Sequence, residues 1–157
     1  MRSVEISAKT EYAVRAMLEL ADASDPDGRP VSVDVLAQGQ GLPRKFLESI
    51  LADLRRAELV VSTKGARGGY RLARPASEIP VGAVFRAVDG PLAEVRGRRP
   101  HHTSYEGVAA NLPVLWVAVR SSLRQVLDDT SLEQVRTGRL PDHVRRLANE
   151  PDAWVSR

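Results

Sequence analysis

The sequence predicts a mainly α-helical fold that carries one small β-hairpin. Apolar residues recur at steps of three and four along several segments, which is typical of helices with one buried face. Two short β-prone runs, 59–63 and 70–72, flank a glycine-rich stretch and indicate the hairpin. With 157 residues, of which 43% are hydrophobic, the chain is long enough to build one domain around its own core.

Two helices are predicted at the start of the chain. The first spans residues 9–23, with Ser7 as its N-cap, and turn-forming residues at 24–30 end it. The second begins after Ser32, which is also a favourable N-cap, and ends in the glycine-containing stretch 39–41. The apolar face of the first helix consists of Ala13, Ala16, Met17 and Leu20.

A third helix is predicted to open at Pro43, because proline is tolerated at the first helical position. Its apolar positions form one stripe, and polar and basic residues cover the opposite side. Two helices joined by a short turn that contains glycine, the second with a polar and basic face, form the helix-turn-helix pattern. The predicted stripe contains Phe46, Leu47, Ile50, Leu51 and Leu54.

The predicted hairpin is positively charged, with Lys64, Arg67 and three glycines in the tip at 64–69. Between residues 40 and 74, eight lysines and arginines exceed three acidic residues by five, while the net charge of the whole chain is +3. A charged hairpin by itself also occurs as a solvated loop. Next to a helix-turn-helix it is typical of a wing, so we predict a winged helix-turn-helix domain.

The C-terminal half is predicted to contain a short helix at 81–88, a polar loop at 93–107 and the long helix Leu112–Leu127, capped by Asn111. The capping-box pattern that begins at Thr130 and ends at Glu133 predicts another short helix.

Apolar residues of the long helix step by 3, 4, 4 and 3, which is the spacing of a seam between two packed helices. A helix in the core of one chain gives the same stripe, so both a core and a dimer interface remain open. The residues of this seam are Leu112, Leu115, Val119, Leu123 and Val126.

The chain contains no cysteine, so disulfides and thiolate-held zinc, copper or iron–sulfur centres are excluded. Adjacent histidines such as His101 and His102 are poorly placed to chelate one ion, and we predict no metal site. No cysteine nucleophile, Gly-x-Ser-x-Gly elbow or phosphate-binding loop is present, so we do not expect an enzyme. The absence of a signal-peptide core and of an apolar run near the roughly 18 residues of a membrane span predicts a cytoplasmic protein without a membrane partner.

Short motifs are spread over residues 7–91 in the order of the predicted elements. They are Ser7-Ala8-Lys9, Tyr12-Ala13-Val14-Arg15-Ala16-Met17, Phe46-Leu47-Glu48, Ile50-Leu51, Leu54-Arg55, Lys64-Gly65, Gly68-Gly69-Tyr70-Arg71-Leu72, Arg74-Pro75 and Val88-Asp89-Gly90. By these motifs the chain resembles the Rrf-two (Rrf2) family of bacterial winged helix-turn-helix transcription regulators. The Gly-Gly-Tyr wing after a Phe-Leu-Glu helix is a specific signal, and the long helix matches more loosely.

The resemblance implies a homodimer that is held by the long helix and binds a pseudo-palindromic operator in double-stranded DNA. It implies that the third helix enters the major groove and that the wing contacts the adjacent minor groove or backbone. Lys9, near the start of the first helix, is expected to touch a phosphate. The positions that the resemblance places on DNA are Pro43, Arg44, Lys45, Glu48, Lys64, Gly65 and Arg67.

The chain departs from the family pattern at three places. Ala66 and Arg67 stand where the family often has a proline after the first wing glycine, and Glu58 stands where glycine is frequent. Residues 92–107 lack the three cysteines of cluster-bearing members, so we expect no iron–sulfur cluster and no other cofactor. Glycines in the wing tip allow close approach to DNA or simply permit the turn, and both interpretations are open.

We therefore expect a sequence-specific transcription regulator, a repressor or an activator, with repression favoured and no effector indicated. The alternative is a winged-helix protein-interaction or sensor scaffold with weak or no DNA binding. The expected domains are the DNA-binding domain at 1–91, the polar loop at 92–110, the dimerisation helix and a following short helix at 111–136, and a tail at 137–157 with a helix after Pro141.

Overall fold

The computed structural model describes residues 4–23 and 28–156, and it confirms the mainly α-helical fold with one hairpin. Residues 24–27, in the predicted turn after the first helix, lie outside the described residues. The elements are α1 (Ala8–Asp22), α2 (Val33–Gln40), α3 (Arg44–Arg56), β1 (Val60–Thr63), β2 (Gly69–Leu72), α4 (Val81–Asp89), α5 (Leu112–Leu127), α6 (Leu132–Thr137) and α7 (Asp142–Ala148), with 3-10 turns at Ala76–Glu78, Pro100–His102 and Gly107–Ala109.

Helix α1 lies at the centre of the core. The Ser7 hydroxyl oxygen accepts a hydrogen bond from the backbone N–H of Thr10 at 3.0 Å, so Ser7 is the N-cap, as predicted. One face of α1 packs against α2, α3, α4, α6 and β2. Small side chains on that face let the neighbouring helices approach closely. The buried residues of α1 are Thr10, Ala13, Ala16, Met17, Leu20 and Ala21.

The carboxylate of Asp89 ties the end of α4 to the start of α1. Its Oδ2 accepts hydrogen bonds from the Thr10 hydroxyl at 2.5 Å and from the Ser7 hydroxyl at 2.6 Å. Because Thr10 is fully buried, its hydroxyl needs a partner inside the protein, and Asp89 supplies it. The negative charge also lies at a helix N-terminus, where the helix dipole favours it.

Helices α2 and α3 form the predicted helix-turn-helix. Helix α2 follows its N-cap Ser32 and ends at Gly41, whose φ of 62° is left-handed. Helix α3 begins at Arg44, because Pro43 has an extended backbone with ψ of 123° and occupies the N-cap position. The predicted start of α3 at Pro43 is therefore one residue early.

The apolar stripe of α3 is buried except at Phe46, which is 52% exposed. The Phe46 ring meets the Tyr12 ring edge-on, with 6.1 Å between the ring centroids. Phe46 therefore lies at the edge of the predicted stripe, beside α1, and the other four stripe residues are buried. The buried residues of α3 are Leu47, Ile50, Leu51 and Leu54.

The wing is an antiparallel hairpin that pairs Val60 with Leu72, within one residue of the predicted bounds. Val31 and Tyr70 also exchange backbone hydrogen bonds, at 2.7 and 2.8 Å. The segment before α2 therefore anchors the wing to the helices. Tyr70 packs against the core, as expected for a residue that supports the wing.

Helix α3 ends in a Schellman motif with Glu58 in its left-handed position. The φ of Glu58 is 59°, and its N–H donates to the carbonyl of Arg55 at 2.9 Å. The N–H of Leu59 donates to the carbonyl of Leu54 at 3.0 Å. A left-handed residue other than glycine costs about 1–2 kcal/mol. The two hydrogen bonds nevertheless form, so the turn before the wing is kept although Glu58 stands where the family often has glycine.

Two of the wing glycines are required by the protein's own backbone. A Cβ atom at Gly68 would lie 2.2 Å from the carbonyl oxygen of Thr63, and one at Gly69 would lie 2.1 Å from that of Val31. At Gly65, φ is 108° and no atom of the described residues lies within 4 Å of an added Cβ. Overlap with the protein's own backbone therefore explains Gly68 and Gly69, and the positive φ explains Gly65, so close approach of DNA at Gly65 stays a prediction.

The C-terminal half contains α5 over its predicted bounds, and Asn111 occupies the N-cap position, but its side chain does not make the expected capping hydrogen bond. No described residue of α5 is buried, so its apolar seam does not belong to the core of this chain. The predicted polar loop contains a 3-10 turn, Pro100–His102, and a β-bridge between Val95 and Arg98. None of the described helices is long and apolar enough to cross a bilayer.

Helix α6 begins with a capping box that is shifted by one residue from the predicted pattern. Ser131 is the N-cap and Gln134 is its reciprocal partner. Thr130 is buried and donates its hydroxyl to the carbonyl of Val126 at 2.6 Å, so it is not available as a cap. Leu132 is buried in the same core as α1.

Replacing Gly68 by alanine should reduce the free energy of unfolding by about 2–3 kcal/mol, because the new Cβ overlaps the Thr63 carbonyl. Gly41→Ala is the control, since its Cβ meets open space and only the left-handed backbone opposes it. It should cost about 1 kcal/mol. Urea unfolding measures the free energy of unfolding of both variants. Equal losses would show that the overlap with the Thr63 carbonyl adds nothing to the cost of the substitution at Gly68.

Candidate nucleic-acid interface

The exposed start of α3 holds Arg44 between two carboxylates. Its Nε donates to Glu48 at 3.3 Å, and its Nη1 donates to Asp34 on α2. The hydrogen bond that Arg44 donates to Glu48 and the charge of Asp34 raise the pKa of Arg44 above its ordinary value. All three side chains are more than half exposed. Exposed pairs contribute about 0–1 kcal/mol, so Arg44 can exchange these partners for others.

The remaining predicted contacts on α3 and the wing are also exposed. Within residues 4–23 and 28–156, the cations Lys45, Lys64 and Arg67 form no ion pair with a carboxylate. Their charges are therefore available to an external anion. Besides Arg44 and Glu48, the predicted DNA contacts that are exposed are Pro43, Lys45, Lys64, Gly65 and Arg67.

Lys9 is held by an ion pair that connects α1 with α3. Its Nζ lies 2.6 Å from Oδ2 of Asp53. The other carboxylate oxygen of Asp53, Oδ1, accepts a hydrogen bond from Arg56. The hydrogen bond from Lys9 is the main cause that lowers the pKa of Asp53. The Lys9 side chain is 32% exposed, so a phosphate contact by Lys9 stays a prediction.

Two features of this surface were missed by reasoning from sequence. Asp34 contacts Arg44 although ten positions separate them, and its only sequence signal is a favourable charge in the first turn of α2. The guanidinium of Arg15 lies 5.7 Å from the centre of the Tyr12 ring. The i, i+3 spacing of Tyr12 and Arg15 on a helix was the available signal for this contact.

Helix α5 presents an apolar stripe that the described part of the chain does not cover. Leu115 is 53% exposed and Val119 is 43% exposed. Val114, outside the predicted seam, is 72% exposed and widens the stripe. The other predicted seam residues, Leu112, Leu123 and Val126, are half-buried.

The loop between α4 and α5 offers cations where a metal centre would need ligands. In the described ranges, no group of three His, Cys, Asp or Glu residues could hold a metal ion. His101 accepts a hydrogen bond at Nδ1 from Arg120, with 2.8 Å between the nitrogens, and its ring contacts that of His102. Without thiolates and with guanidinium groups nearby, the residues present do not fit iron or an iron–sulfur cluster.

Comparison with known proteins covers both the winged domain and α5. Residues 6–137 match the model of the Rrf2 family, described as an iron-dependent transcriptional regulator. Over 153 residues the chain is 47% identical to Rv1287 of Mycobacterium tuberculosis, which carries the name of an HTH-type transcriptional regulator. That match covers 98% of this chain and 94% of Rv1287.

Solved structures show the same architecture. CymR, the global cysteine regulator of B. subtilis, has a TM-score of 0.72 at 32% identity and covers 87% of this chain and 98% of its own. IscR of T. potens has a TM-score of 0.67 at 33% identity, over 87% of this chain and 88% of its own. The winged helix-turn-helix, the position of α5 and the family match together place this chain in the Rrf2 family of DNA-binding transcription regulators.

Proposed function

We propose that the protein binds a pseudo-palindromic operator in duplex DNA as a homodimer and represses transcription by occupying it. The observation that carries the proposal is the exposure of unpaired cations at two places on one domain. Lys45 lies on α3, and Lys64 and Arg67 lie at the wing tip. Each cation that neutralises a phosphate releases counterions, which favours binding to duplex DNA.

The two places suit different parts of DNA. A helix fits the major groove, where Lys45 can donate to guanine O6 and N7 and Glu48 can accept from cytosine N4. Each good contact of this kind discriminates by about 1–3 kcal/mol. The wing tip, with Arg67 beside the small Ala66, suits phosphates or a narrow minor groove. We therefore assign sequence reading to α3 and general affinity to the wing.

The pairing of Arg44 implies an exchange of partners on DNA. In the free protein its guanidinium is neutralised by Asp34 and Glu48. When phosphates approach, they repel both carboxylates and attract the guanidinium, and the arginine fork matches guanine or phosphate oxygens. Asp34 therefore opposes DNA binding, and its charge limits affinity for DNA of any sequence.

The apolar stripe on α5 supports the homodimer. The helix has 16 residues, so it spans about 24 Å. Burying a leucine such as Leu115 against a second copy contributes up to about 1.5–3 kcal/mol. A two-fold pair of winged domains needs an operator with two related half-sites.

Selection of genomic DNA fragments by the purified protein, with transcript measurements in a strain that lacks its gene, tests the proposal. Bound fragments should share a pseudo-palindrome, and transcripts of the adjacent genes should rise in that strain. Binding should weaken with salt, with a log–log slope of about −0.9 for each neutralised phosphate. A protein-interaction scaffold would enrich no sequence, and falling transcripts would contradict repression.

Lys45→Ala should weaken binding to the operator by about 10-fold or more, and binding to random duplex much less, since Lys45 reads a base edge. Arg67→Ala should weaken binding to both duplexes and lower the salt slope by about 0.9, since Arg67 contacts a phosphate. Fluorescence anisotropy over a salt series measures both effects. Equal losses on both duplexes would remove Lys45 as a base reader, and an unchanged slope would remove Arg67 as a phosphate contact.

Asp34→Asn should strengthen binding to random duplex by about 3-fold or more, because it frees Arg44 and removes a repelling charge. Asp142→Asn is the matched control, since Asp142 forms the same kind of exposed pair with Arg145 on α7. Both variants change the net charge equally. Equal gains in anisotropy titrations would show that only the total charge matters.

Leu115→Asp should convert the dimer into a monomer in sedimentation experiments, because it places a charge in the apolar stripe. Leu147→Asp is the control, since Leu147 on α7 is 54% exposed, against 53% for Leu115. This control should remain dimeric. A dimer that persists in Leu115→Asp would place the interface elsewhere.

A further inference from the structure

A cleft between the end of α4 and α5 collects four arginines and encloses about 270 Å³. Part of its wall is the segment at residues 90–93. None of the described residues that line it is acidic. We call it the arginine cleft, and its arginines are Arg86 from α4, Arg99 from the following loop, and Arg120 and Arg124 from α5.

Among the residues that the structure describes, three of these four arginines have no carboxylate partner. Arg86 is neutralised by Asp128, with two hydrogen bonds of 2.8 and 2.6 Å. Across the described ranges, no carboxylate pairs with Arg99, Arg120 or Arg124. The Nε of Arg120 is buried and has no hydrogen-bond partner among those residues. The four arginines of the cleft therefore carry more positive charge than the described carboxylates neutralise.

His101 reports the electrostatic character of this region. Because arginine has no acceptor atom, Nδ1 of His101 must accept from Arg120, which leaves the ring proton on Nε2. Desolvation lowers the pKa of His101, and the interaction with His102 lowers it further. The positive charges of three cleft arginines also lower the pKa of His101, namely those of Arg120, Arg99 and Arg124. Their positive potential therefore converges beside the cleft.

We propose that the arginine cleft binds a small molecule that carries a phosphate group. Arginine forks match the oxygens of phosphate, and the planar guanidinium donates two parallel hydrogen bonds to them. A phosphate dianion supplies several acceptor oxygens and the negative charge that Arg99, Arg120 and Arg124 lack among the described residues. The volume of about 270 Å³ limits the ligand to a compact molecule.

The cleft can transmit occupancy to the DNA-binding surface, a consequence that rests on the proposed function. Its wall begins at Gly90, directly after Asp89, which accepts hydrogen bonds from Ser7 and Thr10 at the start of α1. In the same turn of α1, Lys9 bonds to Asp53 on α3. A ligand that shifts the segment 90–93 therefore acts on the helix that positions α3.

Inorganic phosphate is the probe, titrated into the full chain without DNA and compared with chloride at equal ionic strength. Calorimetry should show saturable binding of one phosphate per chain, and the unfolding midpoint should rise with phosphate. Arg120→Gln and the exposed Arg124→Gln should each weaken binding by about 10-fold or more. Arg139→Gln and Arg146→Gln remove equal charge outside the cleft, and these controls should bind as the unaltered protein does.

Equal phosphate affinity in cleft and control variants would overturn the proposal, and so would a midpoint that follows ionic strength alone. It would also be overturned if Arg120→Gln and Arg124→Gln lowered the salt slope of duplex binding in phosphate-free buffer, because the cleft would then contact the DNA backbone. The phosphate titration needs no DNA. Its result therefore stands apart from operator binding, which is tested at α3 and the wing.

Discussion

The buried face of α1 holds the helices and the wing together. Ala13, Ala16 and Met17 have no exposed surface, and their helix contacts α2, α3, α4, α6 and β2. Because protein interiors are close-packed, a larger side chain at either alanine would separate α1 from α2 and α3, the helices of the proposed DNA-binding surface. The first turn of α1 is also tied to Asp89 and Asp53, so one helix positions both α3 and the start of the loop before α5.

Charge divides the protein into paired cations that hold elements together and unpaired cations that face solvent or a cleft. Lys9 belongs to the first class, since its ion pair is partly buried and joins two helices. Arg44 lies between the classes, because its ion pairs are exposed and breaking them costs little free energy. Lys45, the wing tip and most of the arginine cleft form the second class. Phosphate groups suit the unpaired cations at both places. We propose the DNA backbone as the ligand of α3 and the wing, and a small phosphorylated molecule as the ligand of the arginine cleft.

Helix α5 is held at both ends although none of its described residues is buried. Near its start, Trp116 donates to the Tyr105 hydroxyl at 3.1 Å, and just after its end Asp128 pairs with Arg86. Leu132 then enters the core, so the chain returns to the winged domain directly after α5. A helix fixed in this way presents its apolar stripe at a defined angle. The proposed homodimer requires a fixed position of this stripe relative to each winged domain.

Local sequence patterns were sufficient to predict the helices, the hairpin, the N-caps Ser7 and Ser32, and the exclusion of thiolate metal centres. These depend on local periodicity, local hydrogen bonding and the side chains that are present. Contacts between distant elements set three further features: Phe46 is half-exposed, the α5 stripe lies outside the core, and Arg44 and Arg86 are paired with carboxylates while the other three cleft arginines are not. Burial and charge compensation arise from contacts between elements distant in sequence, and local patterns do not encode which residues of two elements will meet.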